Sequence, residues 1–517
     1  MANLQLFNSY RGNKLPMPNA VNTHGVAAYG FNAKHRLAQY AATGCLNATF
    51  YADAELQLQT LLESCEKVEP RFIAKTAVYC REKGYMKDAP ALLTAVLTLR
   101  GQEFLPAVFK RVIGNGKMLR NFVQILRSGA VGRKSLGTRP KKLIQNWLNT
   151  ASERELLNAY IGSQPSLADV IKMVHPKPIE IWREAFFAWV IGKPYELAKL
   201  PPITQSYEAY KADMTRPIPD VPFQMLTALP LATEQWTAIA LNAGWQMVRM
   251  NLNTFARHGV FADGQVVTTL AEKLRNTQAI AKAKVFPYQL LAAYKASASA
   301  LPRELSDALQ DALETALVNV PEIAGKVVVC PDVSGSMGSA VTGGRGSATS
   351  SVRCIDVAAL VAAALLRKNP NTLVLPFEND VVKVDLNARD TVLTNAQKLA
   401  AIGGGGTNCS APLRQLNRNK AIADVVIFVS DNESWLDTKR HGATAMMQEW
   451  ATFKQRNPKA KLVCVDIQPY STTQAAERDD ILNVGGFSDA VFNAIAAFAA
   501  GQLNPEHWVG VIEDTVL

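Results

Sequence analysis

The hydrophobic period of this chain changes once, near Pro321, and that change limits the possible folds more than any other feature. Before it, apolar residues recur at helical spacing. Leu58, Leu61, Leu62 and Cys65 stand at i, i+3, i+4 and i+7, one face of a helix. Asp88, followed by Pro90 and the apolar run Ala91–Leu97, reads as a capped helix start. Comparable segments are expected at 104–113, 117–127, 152–160, 178–191, 233–250, 266–283 and 304–318, parted by short Gly, Pro or Asn punctuation. Short helices on short loops cannot bury their faces singly. They are expected to stack as helix pairs, an α-solenoid or a ring, over residues 1–322. After Pro321 the pattern becomes short β-branched runs: Lys326–Cys330, Thr372–Pro376, Val381–Val384, Asp424–Val429 and Lys461–Val465. Helical segments lie among them at 352–368, 394–402, 410–417, 442–456 and 487–500. Strands alternating with helices predict a mostly parallel, Rossmann-like α/β domain over 323–517, with its ligand site at the carboxyl ends of the strands.

Chemistry is concentrated at those ends. The first strand runs into Asp332-Val-Ser334-Gly-Ser336, and alternate residues of an extended loop point the same way. One carboxylate and two hydroxyls therefore converge as hard oxygen donors, suited to a divalent cation such as Mg²⁺. Thr407, after the glycines Gly403–Gly406, and Asp431, after the strand ending at Val429, stand at equivalent places and could complete the set. The glycine run lacks the Gly-Lys-Ser/Thr that a phosphate-cradling loop needs. Metal-assisted hydrolysis would need a flanking general base, and Glu433 is the one acid at an obvious spacing, so a non-catalytic site is expected.

Charge is divided as sharply as hydrophobicity. Residues 1–325 carry 37 Lys+Arg against 25 Asp+Glu, whereas 326–517 carry 18 against 19. The basic excess is densest from Lys110 to Lys142, where Lys110, Arg111, Lys117, Arg120, Arg127, Arg133, Lys134, Arg139, Lys141 and Lys142 occur without one Asp or Glu. Like charges without an acid repel unless a polyanion offsets them, so phosphate contacts are expected there. Phe122 and Trp147 could stack on a base, although their helical spacing favours a place in the core. Composition excludes other classes. No run approaches the roughly 18 apolar residues of a membrane span, and the N-terminus shows no signal-like stretch, so a cytoplasmic protein is expected. Seven scattered cysteines without CxxC spacing argue against a disulfide framework or a zinc site.

DVSGSM, GGGGTN and VSDNE, in order at strand ends, resemble the metal-ion-dependent adhesion site of von Willebrand A domains. That resemblance implies Asp332, Ser334, Ser336 and Thr407 on the metal or its waters, with Asp431 beside them. The earlier part resembles the Ro ribonucleoprotein family and its TROVE module. The motifs are Leu37–Tyr51 (with Thr49-Phe50-Tyr51 at its end), Gly137–Trp147, Ser166–Pro178, Arg249–Asn253 and Phe286-Pro287. This resemblance implies a ring of HEAT-like helical repeats joined to the A domain. It implies a Y-like small noncoding RNA on the basic outer surface, and single-stranded ends of misfolded RNA in the cavity. It also implies a partner exoribonuclease such as polynucleotide phosphorylase, and a monomer. His175 matches the family's Y-RNA-contacting histidine. Asn158–Ser163 lacks the basic residues the family often carries upstream of it, and Arg139, Lys141 and Lys142 are expected to supply that charge. The competing expectation is a metal-dependent protein adaptor whose helical part is scaffold.

Overall fold

The computed structural model describes residues 15–43, 46–283, 285, 287–297, 301–344, 351–431, 433–436, 443–486, 489–503 and 506–517. Cys45, Phe286 and Asn432 of the sequence motifs lie outside them. Packing divides the chain into two compact units, and they do not follow a single cut at 322/323. One contains the residues through Gln57 together with Leu317–Val511; the other contains Leu58–Ala316 and Ile512–Leu517.

The first unit is built on a parallel sheet. In chain order the described strands are β1 (Ala20–Val21), β2 (Ala27–Gly30), β3 (Val327–Pro331), β4 (Leu373–Val374), β5 (Val425–Ser430), β6 (Lys461–Asp466), β7 (Thr472–Thr473) and β8 (Ile481–Gly485). Five of them form a sheet of order β4-β3-β5-β6-β8, parallel throughout, with Cys330 opposite Phe428 and Ser430 opposite Asp466. β3, β5 and β8 are wholly buried, which explains the continuous apolar runs of β3 and β5. The helix Cys354–Lys368, buried from Cys354 to Leu366, packs on β3. A core cluster joins Phe377, Phe428, Trp450 and Phe453 to strand residues Val328, Cys330, Leu462 and Cys464.

Two expectations are corrected here. Val381–Val384 is not a strand; Val381 makes only an isolated bridge to Phe377. Residues before 57 are not all helical, because β1 and β2 form a hairpin whose turn is closed by Asn22 Oδ1, which accepts from the backbone of His24 (3.1 Å) and Val26 (3.0 Å). β2 then pairs antiparallel with β7. This pairing, and the packing of helix Ala33–Thr43 on β8, place the N-terminal segment in the α/β unit.

The second unit is a succession of short helices. Helices Pro70–Glu82, Asp88–Val96, Leu105–Val112, Gly116–Ser128, Thr138–Thr150, Glu153–Tyr160 and Leu167–Val174 pack chiefly on neighbours one to three along the chain, as stacked helical repeats do. Expected 233–250 and 266–283 are each two helices: Ala243-Gly244 separates Thr233–Asn242 from Trp245–Arg257, and Asn276 ends Gly264–Arg275 before Thr277–Ala283. Close approach is enforced at Gly116, where a Cβ would overlap Ala159. The last residues return to this unit. Lys75 Nζ lies 3.5 Å from Glu513, and Arg111, paired with Glu82 at 2.7 Å, also donates to the Val516 carbonyl.

Candidate nucleic-acid interface and metal centre

The basic segment folds as helix, loop, helix. Asn115 caps the first helix, its Oδ1 accepting from Met118 N at 3.0 Å. The helix ends at Gly129, whose φ of 89° suits only glycine, and the loop turns again at Gly132 (82°) and Gly137 (71°). The second helix, Thr138–Thr150, carries no acid in its first turn and has Arg139, Lys141 and Lys142 instead. Cations at a helix N-terminus oppose the macrodipole, so they cost stability and favour an anion nearby.

These elements enclose a cleft of about 620 Å³. Arg127, Lys134, Lys141 and Lys142 line it with Ser135, Gly137, Thr138, Gln145 and Met173, and none of the lining residues is acidic. Arg127, Lys134 and Lys142 are exposed. His175 is not among the lining residues but follows one of them, Met173, by two positions. It closes helix Leu167–Val174 in a left-handed conformation (φ 50°, ψ 64°), unusual for a side chain of that size. Gln145 holds this turn, its Nε2 donating to the carbonyls of Val174 (2.6 Å) and His175 (3.3 Å).

Not every predicted cation joins the cleft. Arg120 is packed into the repeat, its guanidinium against Gly162 and 3.4 Å from the Pro165 carbonyl. Arg133 clamps its own loop by donating to Ser135 O at 2.8 Å. Arg139 reaches back to Gln102, donating to its carbonyl (3.1 Å) and Oε1 (3.3 Å). Lys117 starts the helix whose far end carries Arg127, about 15 Å away at 1.5 Å per residue. Phe122 is fully buried and stacks edge-on with Phe109, so it is core.

The sequence reading missed Gln145, Lys172 and Met173. Arg127 Nη1 lies 2.8 Å from Met173 Sδ, and an adjoining cleft of about 650 Å³ adds Lys172, Gln124 and Gln164. Lys172 supplies, three residues before His175, a positive charge that Asn158–Ser163 lacks. The signal was one lysine in a short helix that also carries Asp169, which is faint without the fold.

In the α/β unit the loops after β3, the glycine run and the loop after β5 interlock. Gly335 N donates to Gly405 O (3.1 Å), Gly404 N to Val333 O (3.1 Å) and Trp435 N to Thr407 O (3.1 Å). Gly404 and Gly405 have φ of 130° and 68°, and a Cβ at Gly405 would strike Glu378. All five predicted site residues are buried: Asp332, Ser334, Ser336, Thr407 and Asp431. Asp332 Oδ1 accepts from Ser334 N (2.8 Å) and its Oδ2 from Ser430 Oγ (2.5 Å). Ser334 and Ser336 hydroxyls are 3.3 Å apart, and Ser336 lies beside the Asp431 carboxylate, whose pKa it lowers against the effect of burial. The structure thus gathers Asp332, Ser334, Ser336 and Asp431, with Thr407 tied through its backbone to the third loop.

Burial raises the pKa of both aspartates, and for Asp332 the Asp431 carboxylate adds to the effect. Two acids sharing a dry site without a countercharge are poorly stabilised. A divalent cation would reverse that penalty, and the all-oxygen donor set fits Mg²⁺. Among the described residues no three of His, Cys, Asp and Glu are grouped to hold a metal, so hydroxyls and waters would have to complete the shell. The six described cysteines are buried and none is in a disulfide.

Stacked helices joined to a parallel sheet with these three loops at its carboxyl edge define a von Willebrand A domain attached to a helical-repeat unit. Residues 326–499 match the family described as the Ro60 vWA domain, so the α/β unit is an A domain of the Ro60 type. The chain is 23% identical over 522 residues to RNA-binding protein RO60 of Deinococcus radiodurans, covering 93% of this chain and 95% of that one. It is 22% identical over 254 residues to RNA-binding protein RO60 of Caenorhabditis elegans, covering 47% and 38%. The crystal structure of the Deinococcus radiodurans Ro (Rsr) protein superposes with a TM-score of 0.62 at 20% identity, over 91% of this chain and 100% of that one. The resemblance to the Ro family carried by the sequence motifs is thereby confirmed.

Proposed function

We propose that this is a Ro-type RNA-binding protein whose helical unit holds a small, structured, Y-like noncoding RNA in the cleft of Arg127, Lys134, Lys141 and Lys142, beside His175. The carrying observation is that cleft: four cations, no acid in the lining, and a helix N-terminus at its wall. Both named relatives are called RNA-binding proteins. Phosphate contacts from flexible cations position an RNA, and an exposed histidine at a strained turn can meet a base edge or ribose. By the same reading, single-stranded ends of misfolded RNA enter the cavity of the helical ring. The complex then acts as a monomeric scaffold for quality control with an exoribonuclease such as polynucleotide phosphorylase, in the cytoplasm. Among the described residues no helix is long and apolar enough to cross a membrane.

The A domain would hold Mg²⁺ through Asp332, Ser334, Ser336, Thr407 and Asp431, and the cation would supply a gripping point for an acidic group of a partner. Catalysis is disfavoured because Glu433, the one flanking acid, accepts from Thr23 N (3.0 Å) and Thr23 Oγ1 (2.6 Å) through Oε2. Exposed Phe50 and Trp435, whose backbones adjoin Tyr51 and Ser434, favour the second reading of this domain as a protein adaptor. Sequencing RNA crosslinked to the tagged protein in its native cell tests the proposal. One abundant small RNA, lost when Lys134, Lys141 and Lys142 become Glu, is the expected result. No RNA above background would leave the adaptor as the better account.

A further inference from the structure

The adjoining cleft of about 650 Å³ differs from the basic one in chemistry. No acid lines the first cleft, whereas the exposed Asp169 lines the second beside Arg127 and Lys172. A phosphate meets a repulsion there that it does not meet in the first cleft, and a neutral base does not. Asp169 Oδ2 serves the start of its helix, accepting from Ser166 N (2.9 Å) and Ser166 Oγ (2.7 Å), and Oδ1 has no hydrogen bond among the described residues. Gln124 and Gln164 line the same cleft; both are exposed, and neither carboxamide hydrogen-bonds a described residue. Half-buried Pro165 and Met173 give the wall an apolar part. Arg127 and Met173 line both clefts, with Arg127 Nη1 2.8 Å from Met173 Sδ, so they form the boundary the two share.

We propose that the second cleft takes an unpaired base of the bound RNA, one that carries an exocyclic amino group, while the neighbouring phosphates stay in the first. The inference rests on the reading of the first cleft as a phosphate site. A strand whose phosphates lie on Lys134, Lys141 and Lys142 turns its base over the Arg127–Met173 boundary. There the planar guanidinium can stack on the ring, and the thioether offers a polarisable contact. Asp169 Oδ1 accepts an amino N–H, as acids do from the cytosine amino group. Each carboxamide presents a donor and an acceptor side by side, the pair a base edge needs. Uracil has no amino group to give Asp169, and an abasic site has nothing to place.

The test uses the full chain and one stem-loop RNA with a 3′ tail of three unpaired nucleotides, all A, all C, all G, all U or all abasic. Affinity is read by fluorescence anisotropy at several salt concentrations. The A, C and G tails are expected to bind about tenfold more tightly than the abasic tail, as stacking and pairing of one base allow, and the U tail within about threefold of it. Gln124→Ala with Gln164→Ala should bring all tails close to the abasic one with the wild-type salt slope and an unchanged melt, since both side chains are exposed. Asp169→Asn keeps an acceptor for Ser166 and should bring the U tail level with the rest. Lys141→Glu with Lys142→Glu should do the reverse, weakening every tail alike and flattening the slope. If the wild type binds the five tails alike, takes U as well as A, C and G, or keeps its preference in the double Gln variant, the base site is overturned and the phosphate cleft stands. If the wild type binds none of the five, both fall.

Discussion

The cleft of the helical unit and the candidate metal loops of the A domain use charge in opposite ways. In the cleft, Arg127, Lys134 and Lys142 lie exposed on a helix end, a loop and a helix start, hydrated and mutually repelling. In the loops, Asp332 and Asp431 are buried, pinned by backbone amides and hydroxyls and held above ordinary carboxylate pKa values. Exposed charge costs the fold little and suits a large polyanion of variable sequence, met through screened, salt-dependent contacts. Buried like charge costs the fold more and suits one small cation of fixed geometry. The two arrangements differ as a surface open to many ligands differs from a site suited to one small cation.

That contrast can be broken. The largest expected effect is on RNA. Changing Arg127, Lys134, Lys141 and Lys142 together to Glu should weaken a structured small RNA by at least about 100-fold at moderate salt, read by fluorescence anisotropy, with the melting temperature nearly unchanged. His35 sharpens the buried side of the comparison. It is buried 3.6 Å from Glu477, near His507, and burial lowers its pKa to about 3. The unfolded chain therefore binds a proton below about pH 6.5 that the folded state refuses, so this group removes stability as pH falls, by about 2 kcal/mol from pH 6.5 to 5. Glu477, pushed up to about 7, acts with opposite sign, removing stability as pH rises from its unfolded value toward 7. His35→Gln should flatten the acid limb of melting temperature against pH; an unaltered limb would show that His35 is already charged in the fold.

A smaller effect is expected at Asp332. Without metal, Asp332→Asn removes one of two repelling buried acids, so in EDTA the variant should melt roughly 2–4 °C higher, the worth of about 1 kcal/mol in a domain this size. With Mg²⁺ the wild type should gain stability and the variant should not, and calorimetric melts in both buffers read the two signs together. The smallest effect belongs to Lys117, outside the cleft: Lys117→Glu should change RNA affinity by less than about threefold. A loss equal to that of a cleft residue would mean the RNA footprint runs along the whole helix.

Much of this was legible in residue spacing. The switch near Pro321 is plain because β3 and β5 are buried on both faces and so read as unbroken Val, Ile and Phe. The metal loops were legible because their donors are local, at alternate positions after a strand. β8 was not, since Ile481–Gly485 carries Asn483, a polar residue made acceptable in the core by Thr473 Oγ1, the Ala475 carbonyl and Glu477. The home of residues 20–51 was illegible for a similar reason: the partners of Asn22, Thr23 and Gln39 lie some 400 residues on, and nothing in their own spacing names them. Of the ten cations from Lys110 to Lys142, sequence could not say which face one way. That depends on the turns at Gly129, Gly132 and Gly137, and on a second wall supplied by Gln145 and Met173.

The central claim is that RNA is held by the exposed cations and not by the metal loops. The direct measurement is RNA affinity against salt concentration for the wild type, the fourfold Glu variant of the cleft, and Asp332→Ala. The account predicts a steep salt dependence for the wild type, a slope shallower by about one unit per lost contact in the cleft variant, and a wild-type slope and affinity in Asp332→Ala. A cleft variant that keeps the wild-type slope, or an Asp332→Ala protein that loses RNA as severely as the cleft variant, would contradict it.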